Sequence, residues 1–183
     1  MKSIIIASLI SFFVTLIAIP KLIRYLKLIN LEVKDQNKLN TPLVPLSGGI
    51  AVMAGIFMAI MFYIFVQTFI YKNKNSLIYI LAAITTIIII TFIGFIDYLL
   101  LKKNRESSFG LRQWQKPILT LVAAIPLMVV NAGSNIIKIP FFGRIDIGIY
   151  YALILVPIGV VGAANMINLL AGFNGLEAGM GLV

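Results

Sequence analysis

Five stretches of the chain are apolar over most or all of a membrane crossing, and short polar segments separate them. They run Ser3 to Ile19, Leu46 to Tyr71, Leu77 to Ile96, Pro117 to Val130 and Ile149 to Leu170. A helix needs about 20 apolar residues to cross the hydrocarbon of a bilayer. The pattern therefore predicts an all-α integral membrane protein, a single polytopic domain with about five transmembrane helices. The fourth run is the shortest, and the uncharged residues from Asn131 to Ile137 lengthen it. The first is led by one charge, Lys2, and no small-x-small cleavage site follows, so it reads as a retained helix rather than a signal peptide. Between the fourth and fifth runs, Ile137-Lys138-Ile139 and Arg144-Ile145-Asp146-Ile147 alternate apolar with polar around Pro140 and Gly143. That alternation predicts a small external β-hairpin.

The charges between the runs predict orientation. Lys21, Arg24, Lys27, Lys34 and Lys38 follow the first run, and Lys102, Lys103, Arg105, Arg112 and Lys116 follow the third. The other two connections hold only Lys72 and Lys74, then Lys138 and Arg144. Lys and Arg accumulate on the cytoplasmic side, so the first two segments are expected inside the cell, the amino terminus outside and the C-terminal segment inside.

Composition narrows the chemistry. Apolar residues make up 61 % of the chain and charged residues 11 %, against roughly a quarter charged in a soluble domain. With no cysteine and no histidine, disulfides, zinc fingers, thiol nucleophiles and imidazole acid–base catalysis are excluded. A metal would have to be held by oxygen, the ligand set of a hard cation such as Mg²⁺. The net charge of +9 sits in loops flanking apolar runs, where topology and anionic headgroups account for it, so no nucleic-acid partner is expected.

Three polar clusters fall on the expected cytoplasmic face. The first, Lys34 to Gly49 (KDQNKLNTPLVPLSGG), is also what a loop ahead of a helix looks like: prolines before the helix and glycines permitting close packing. The second, GFIDYLLLKKN from Gly94 to Asn104, places Asp97 in the last turns of an apolar run. An ionisable residue there marks a functional site or a carboxylate that snorkels to pair with Lys102 or Lys103. Arg112, Gln113, Gln115 and Lys116 then lead into the fourth run, where membrane anchoring beside Trp114 is the plainer reading. The third, NMINLLAGFNGLEAGMG from Asn165 to Gly181, sets Asn165, Asn168, Asn174 and Glu177 among Gly172, Gly175, Gly179 and Gly181. Asn165 and Asn168 are spaced i, i+3 and share a helix face, and the glycines let backbone N–H groups approach a ligand. Helix packing explains the glycines but not several amides together with an acid.

NMINLLAGFNGLEAG closely resembles the signature of the polyprenyl-phosphate N-acetylhexosamine-1-phosphate transferases. That superfamily contains the GlcNAc-1-phosphate transferases and the phospho-MurNAc-pentapeptide translocase. Asn174, where bacterial branches usually have Asp, makes the eukaryotic and archaeal GlcNAc branch the most similar. GFID resembles the family's aspartate motif, Lys116 its phosphate-facing lysine and DQNKLN…VPLSGGIAV its first cytoplasmic loop. In two places the chain departs from the pattern: Tyr98 stands where the family has a second aspartate, and Leu46 where eukaryotic relatives have Glu. Members typically carry about twice as many spans, and the chain ends just after the signature, so the amino-terminal half of a larger transferase is expected.

The resemblance implies transfer of a sugar-1-phosphate, GlcNAc-1-phosphate by the branch, from a UDP-N-acetylhexosamine to a membrane polyprenyl or dolichyl phosphate, with release of UMP. It implies Mg²⁺, with Mn²⁺ as the alternative, held by Asp97 and Asn168. It gives Lys116 to a phosphate and Asn174 to uracil, and makes Asn165, Gly175, Glu177, Asn37 and Lys38 further substrate contacts. Asp97 could instead orient the lipid phosphate. Tyr98 implies weaker metal affinity or a loss of activity, and a homodimer is the expected assembly. Two other readings stand beside this one: a catalytically inactive half-protein of the same fold, and a transporter or membrane scaffold. A transporter would place ionisable residues near the bilayer midplane, and none of the five runs has one deep within it.

Overall fold

The structure, a computed structural model, describes residues 2–34, 43–45, 48–72, 76–103, 110–133, 135–139 and 143–170, of which 33–34, 101–103, 139 and 167–170 are described by their backbone. Five α-helices dominate: α1 Lys2–Leu28, α2 Gly48–Phe65, α3 Leu77–Lys103, α4 Gln115–Val129 and α5 Val156–Leu170. A π-helical turn, Val66–Ile70, continues α2, and another, Tyr151–Leu155, leads into α5. Among the described residues, Lys2–Leu28, Gly48–Ile70 and Leu77–Leu100 are long and apolar enough to cross a membrane; Gln115–Val129 and Tyr151–Met166 are shorter apolar helices. The architecture fits an integral membrane protein. Its large apolar side chains, among them Phe12, Phe13, Leu16, Phe92 and Val129, are exposed, as expected where lipid is the solvent and the helical backbone satisfies its own polar groups.

Two helices run well past the apolar runs that predict them. α1 continues beyond Ile19 through Lys21, Arg24 and Lys27, and α3 carries Asp97 and then goes on to Lys103. A charge does not end a helix when its stem can lie along the apolar surface and its head can reach water.

The chain forms two compact units, residues 1–80 with 91–112, and residues 81–90 with 113–183. In the first, α1 packs on α2 through small residues. Ala51, Gly55 and Ala59 recur every fourth position on α2 and are buried, as are Ser3 and Ala7 on α1. A Cβ at Gly55 would fall on the Thr15 hydroxyl and 2.8 Å from the Ser11 carbonyl oxygen. The glycine is what lets the backbones approach this closely.

α1 stops at Asn30, whose φ of 52° is a left-handed conformation that asparagine tolerates. The Leu31 N–H bonds to the Leu26 carbonyl at 2.8 Å and the Asn30 N–H to the Lys27 carbonyl at 3.0 Å. This is the Schellman arrangement, completed by an apolar contact between the residues at its two ends. Those residues, Leu26 and Leu31, join Tyr98 of α3 in a small buried cluster, with Leu22 and Phe95 packed against it. Beyond the cap, β1 (Val33–Lys34) pairs antiparallel with β2 (Leu43–Val44), a pairing that the loop composition does not announce.

In the second unit, α4 ends by the same device. Asn131 has φ 48°, the Ala132 N–H reaches the Leu127 carbonyl and the Asn131 N–H the Met128 carbonyl, both at 3.0 Å. β3 (Ile136–Ile139) and β4 (Gly143–Asp146) follow as an antiparallel pair, with Ile137 opposite Ile145 and Lys138 opposite Arg144. Gly148 then donates its N–H to the Asp146 carboxylate at 2.9 Å and turns the chain into the π-helical segment. Two residues past that segment comes Pro157, which has no N–H and whose ring would crowd the carbonyl of Leu153 in a regular helix. The wider turn, with the Val156 N–H on the Tyr151 carbonyl, relieves the conflict.

Candidate active site

In the first unit the candidate centre is Asp97, six residues before the end of α3. Its Oδ1 accepts the Leu111 backbone N–H at 2.6 Å, the short distance of a charge-assisted bond. The approach depends on Gly110, because a Cβ there would land on Oδ1 and lie 2.9 Å from the Asp97 carbonyl oxygen. Gly110 and Leu111 thus bracket the carboxylate. Neighbouring Tyr98 points into the apolar cluster, 4 % exposed, and its hydroxyl donates to the Leu31 carbonyl. On successive helix positions about 100° apart, one side chain is held by the chain entering the next helix and the other locks the end of α1.

In the second unit the candidate centre is built by α4 and α5. Lys116 and Pro117 occupy the first turn of α4, where a proline is tolerated because the first backbone N–H groups have no helical partner. One turn further on, Thr120 is 6 % exposed. Its hydroxyl lies 3.0 Å from both the Lys116 and the Pro117 carbonyl oxygens and accepts Asn165 Nδ2 of α5 at 3.0 Å. Asn165 Nδ2 also donates to the Val161 carbonyl at 2.8 Å, so both hydrogens of the amide are committed within the protein.

Two contacts settle how the helices run. Thr120, near the start of α4, meets Asn165, near the end of α5. Gly133, just past the end of α4 with φ +130°, lies so close to the Tyr151 ring that a Cβ would strike it. The pair is therefore antiparallel. One turn from Thr120 toward the start of α4 is Lys116, and one turn from Asn165 toward the end of α5 is Asn168, so the backbones of these two residues stand at the same end of the pair.

Of the residues singled out by sequence, Asp97, Lys116 and Asn165 have described side chains, and Asn168 is placed by its backbone in α5. Asn37 and Lys38, between β1 and β2, and Asn174, Gly175 and Glu177, after α5, lie outside the described residues. Gly110, Leu111 and Thr120 are additions from the structure. A hydroxyl inside an otherwise apolar run was the one signal for Thr120; nothing in the pattern marked Gly110.

The donors present suit a hard cation. Among the described residues no three His, Cys, Asp or Glu cluster, so there is no all-protein cage. Mg²⁺ ordinarily binds through one or two carboxylates, waters and substrate phosphates. The Asp97 carboxylate is a hard oxygen donor of the kind that such a site uses.

Residues 80–183 match the family described as glycosyl transferase family 4, a span that takes in Asp97, all of α4 and α5 and the glycine-rich segment beyond. The chain belongs to that family. A protein of Saccharolobus solfataricus is 36 % identical over 175 residues, covering 96 % of this chain and 50 % of the relative; it is provisionally named a UDP-N-acetylglucosamine–dolichyl-phosphate N-acetylglucosaminephosphotransferase. The Dictyostelium discoideum enzyme of that name is 31 % identical, over 84 % of this chain and 39 % of its own. A phospho-N-acetylmuramoyl-pentapeptide-transferase of Thermodesulfovibrio yellowstonii is 31 % identical, over 95 % and 49 % respectively. The chain spans about half the length of the curated relatives it matches.

Proposed function

We propose that this chain forms part of a Mg²⁺-dependent phosphoglycosyl transferase. It moves N-acetylglucosamine-1-phosphate from UDP-N-acetylglucosamine to a polyprenyl or dolichyl phosphate in the membrane and releases UMP. The observation that carries the reading is the antiparallel α4–α5 pair, which brings Lys116 and Asn168 to one helix-pair end within the span that matches the family. The relatives' names supply the sugar and the lipid.

In this reaction an oxygen of the lipid phosphate bonds to the phosphorus that bears the sugar, and the diphosphate bridge opens to release UMP. A phosphate monoester has a second pKa of about 6, so the nucleophile is already ionised at neutral pH and needs no strong base. The difficulty is bringing two anions together. Lys116 neutralises phosphate charge where it develops, a task suited to a compact ammonium. By the family resemblance Asp97 and Asn168 would each offer an oxygen to the metal, and the Leu111 N–H keeps the Asp97 carboxylate in place. A bound Mg²⁺ supplies further neutralisation of the diphosphate. Asn174, Gly175 and Glu177, with Asn37 and Lys38, contact the nucleotide sugar.

We read the membrane arrangement as five spans with the amino terminus outside. The charge asymmetry of the loops supports it. So does the continuous run of the π-helical turn and α5 from Tyr151 to Leu170, close to 30 Å at the helical rise.

The test uses the complete protein in vesicles containing polyprenyl phosphate. UDP-N-acetylglucosamine should yield UMP and a lipid-linked sugar phosphate; EDTA should stop the reaction and added Mg²⁺ restore it. Failure to form UMP from any UDP-N-acetylhexosamine by protein that is folded in the vesicle would overturn the reading.

A further inference from the structure

The Thr120 hydroxyl joins both helices of the α4–α5 pair: it accepts from Asn165 of α5 and donates at the carbonyls that open α4. We propose that Thr120 is a positioning residue for the transfer reaction, a latch that sets the register and rotation of the turn bearing Lys116 against the turn bearing Asn168. This rests on the proposed function for its catalytic consequence, though the latch itself can be tested without activity.

A threonine inside a helix commonly returns its hydroxyl to a carbonyl three or four residues back, and Thr85 does so with Leu81 at 2.7 Å. Thr120 differs because its oxygen also takes a donor from another helix. With a single hydroxyl hydrogen and two lone pairs, it serves both helices at once. It is buried between small neighbours: Ala123 and Ala124 are fully shielded, one turn along the same helix. Alanines allow close contact but define no unique rotation, since lipid and packed side chains are equally apolar and one sliding position is nearly as good as the next. A directional hydrogen bond removes that freedom. Slipping either helix by one residue separates Asn165 from Thr120 and strands a polar amide away from water.

The latch sits one turn from Lys116 on α4 and one turn from Asn168 on α5, so an error in register there is passed almost undiminished to both. It also gives Asn165 a distinct duty. With both amide hydrogens on Thr120 and Val161, Asn165 works through the helix pair, as the second half of the latch.

This chain has no cysteine, and any cysteine in the rest of the complete protein is first replaced by serine. Nitroxide labels go on Ile118→Cys and Met166→Cys, both on exposed positions, in the complete protein reconstituted in vesicles, and electron paramagnetic resonance gives the distance distribution between them. The native protein and Thr120→Ser should show one narrow distribution; Thr120→Val, which keeps the shape and loses the hydroxyl, should broaden or shift it. Asn165→Leu should do the same, and the double variant no more than either single one. In unlabelled protein, Thr120→Val should lower kcat by about tenfold or more with KM for the UDP-sugar little changed, and Thr120→Ser should restore it. An unaltered distance distribution in Thr120→Val overturns the latch, whatever the activity. A broadened distribution with undiminished kcat overturns its positioning role. If the native protein transfers no sugar phosphate while the distances respond as described, the reaction assignment fails and the latch stands.

Discussion

The Tyr98 hydroxyl donates a hydrogen bond to the Leu31 carbonyl across 67 positions of sequence, tying the C-terminal cap of α1 to α3. The position that the family resemblance marks as a missing carboxylate is thus occupied by a structural residue. Tyr98→Phe should leave the shielded Leu31 carbonyl without this donor and lower stability by about 1–3 kcal/mol, read as a reduced melting temperature in detergent. Tyr98→Asp should be worse. At 4 % exposure an ionised carboxylate would be desolvated and would face a carbonyl oxygen. That variant should lose folded protein rather than gain Mg²⁺-dependent UMP release; a well-folded, more active Tyr98→Asp protein would show that the tyrosine merely replaces a ligand.

Gly110 makes room for the Asp97 carboxylate. Gly110→Ala drives a methyl group onto Oδ1 and must move either the carboxylate or the Leu111 N–H. If Asp97 helps to hold the metal, a displacement of this kind should lower turnover by about 10- to 100-fold and raise the Mg²⁺ requirement. Titration of UMP release with Mg²⁺ checks both, and an unchanged Mg²⁺ midpoint would separate Gly110 from the metal.

Lys116→Ala removes a cation placed in the first turn of α4. If the lysine offsets phosphate charge in the transition state, kcat should fall by about 100-fold or more, while the Thr120–Asn165 contact and the melting temperature persist. Lys116→Arg keeps the charge and should retain a measurable part of the rate. Equal turnover in native and Lys116→Ala protein removes this residue from the site.

Gly55 faces a different test, of packing alone. Its close approach to Ser11 and Thr15 leaves no space for a side chain, so Gly55→Val should destabilise the α1–α2 pair by about 1–3 kcal/mol. Thermal melting and protease sensitivity in detergent should report it. Widening the opposite side with Thr15→Ala should recover part of the loss, since the threonine hydroxyl is the nearest obstacle.

Much of the fold is legible in the order of residues because the solvent is apolar. Long uncharged runs can satisfy their backbones in a bilayer in essentially one way, as helices, and α2, α4 and α5 lie close to the runs that predict them. The alternation around Pro140 and Gly143 likewise anticipates the pairing of β3 with β4. The candidate chemistry is legible as residue types: a carboxylate in Asp97, a cation in Lys116 and amides in Asn165 and Asn168, with no thiol or imidazole in the chain to compete.

Tertiary structure decided which of those polar groups the protein uses on itself. In a water-soluble helix the apolar stripe marks the packed face, but helices that are apolar all round carry no such mark, because lipid and core attract the same side chains. The partner of Tyr98 is therefore known only once the Schellman turn at Asn30 has brought Leu31 back to α3. The commitment of Asn165 to Thr120, and the bracket of Gly110 and Leu111 around Asp97, likewise come from residues distant in sequence whose meeting depends on helix rotation, a quantity that uniform hydrophobicity leaves open and directional hydrogen bonds close.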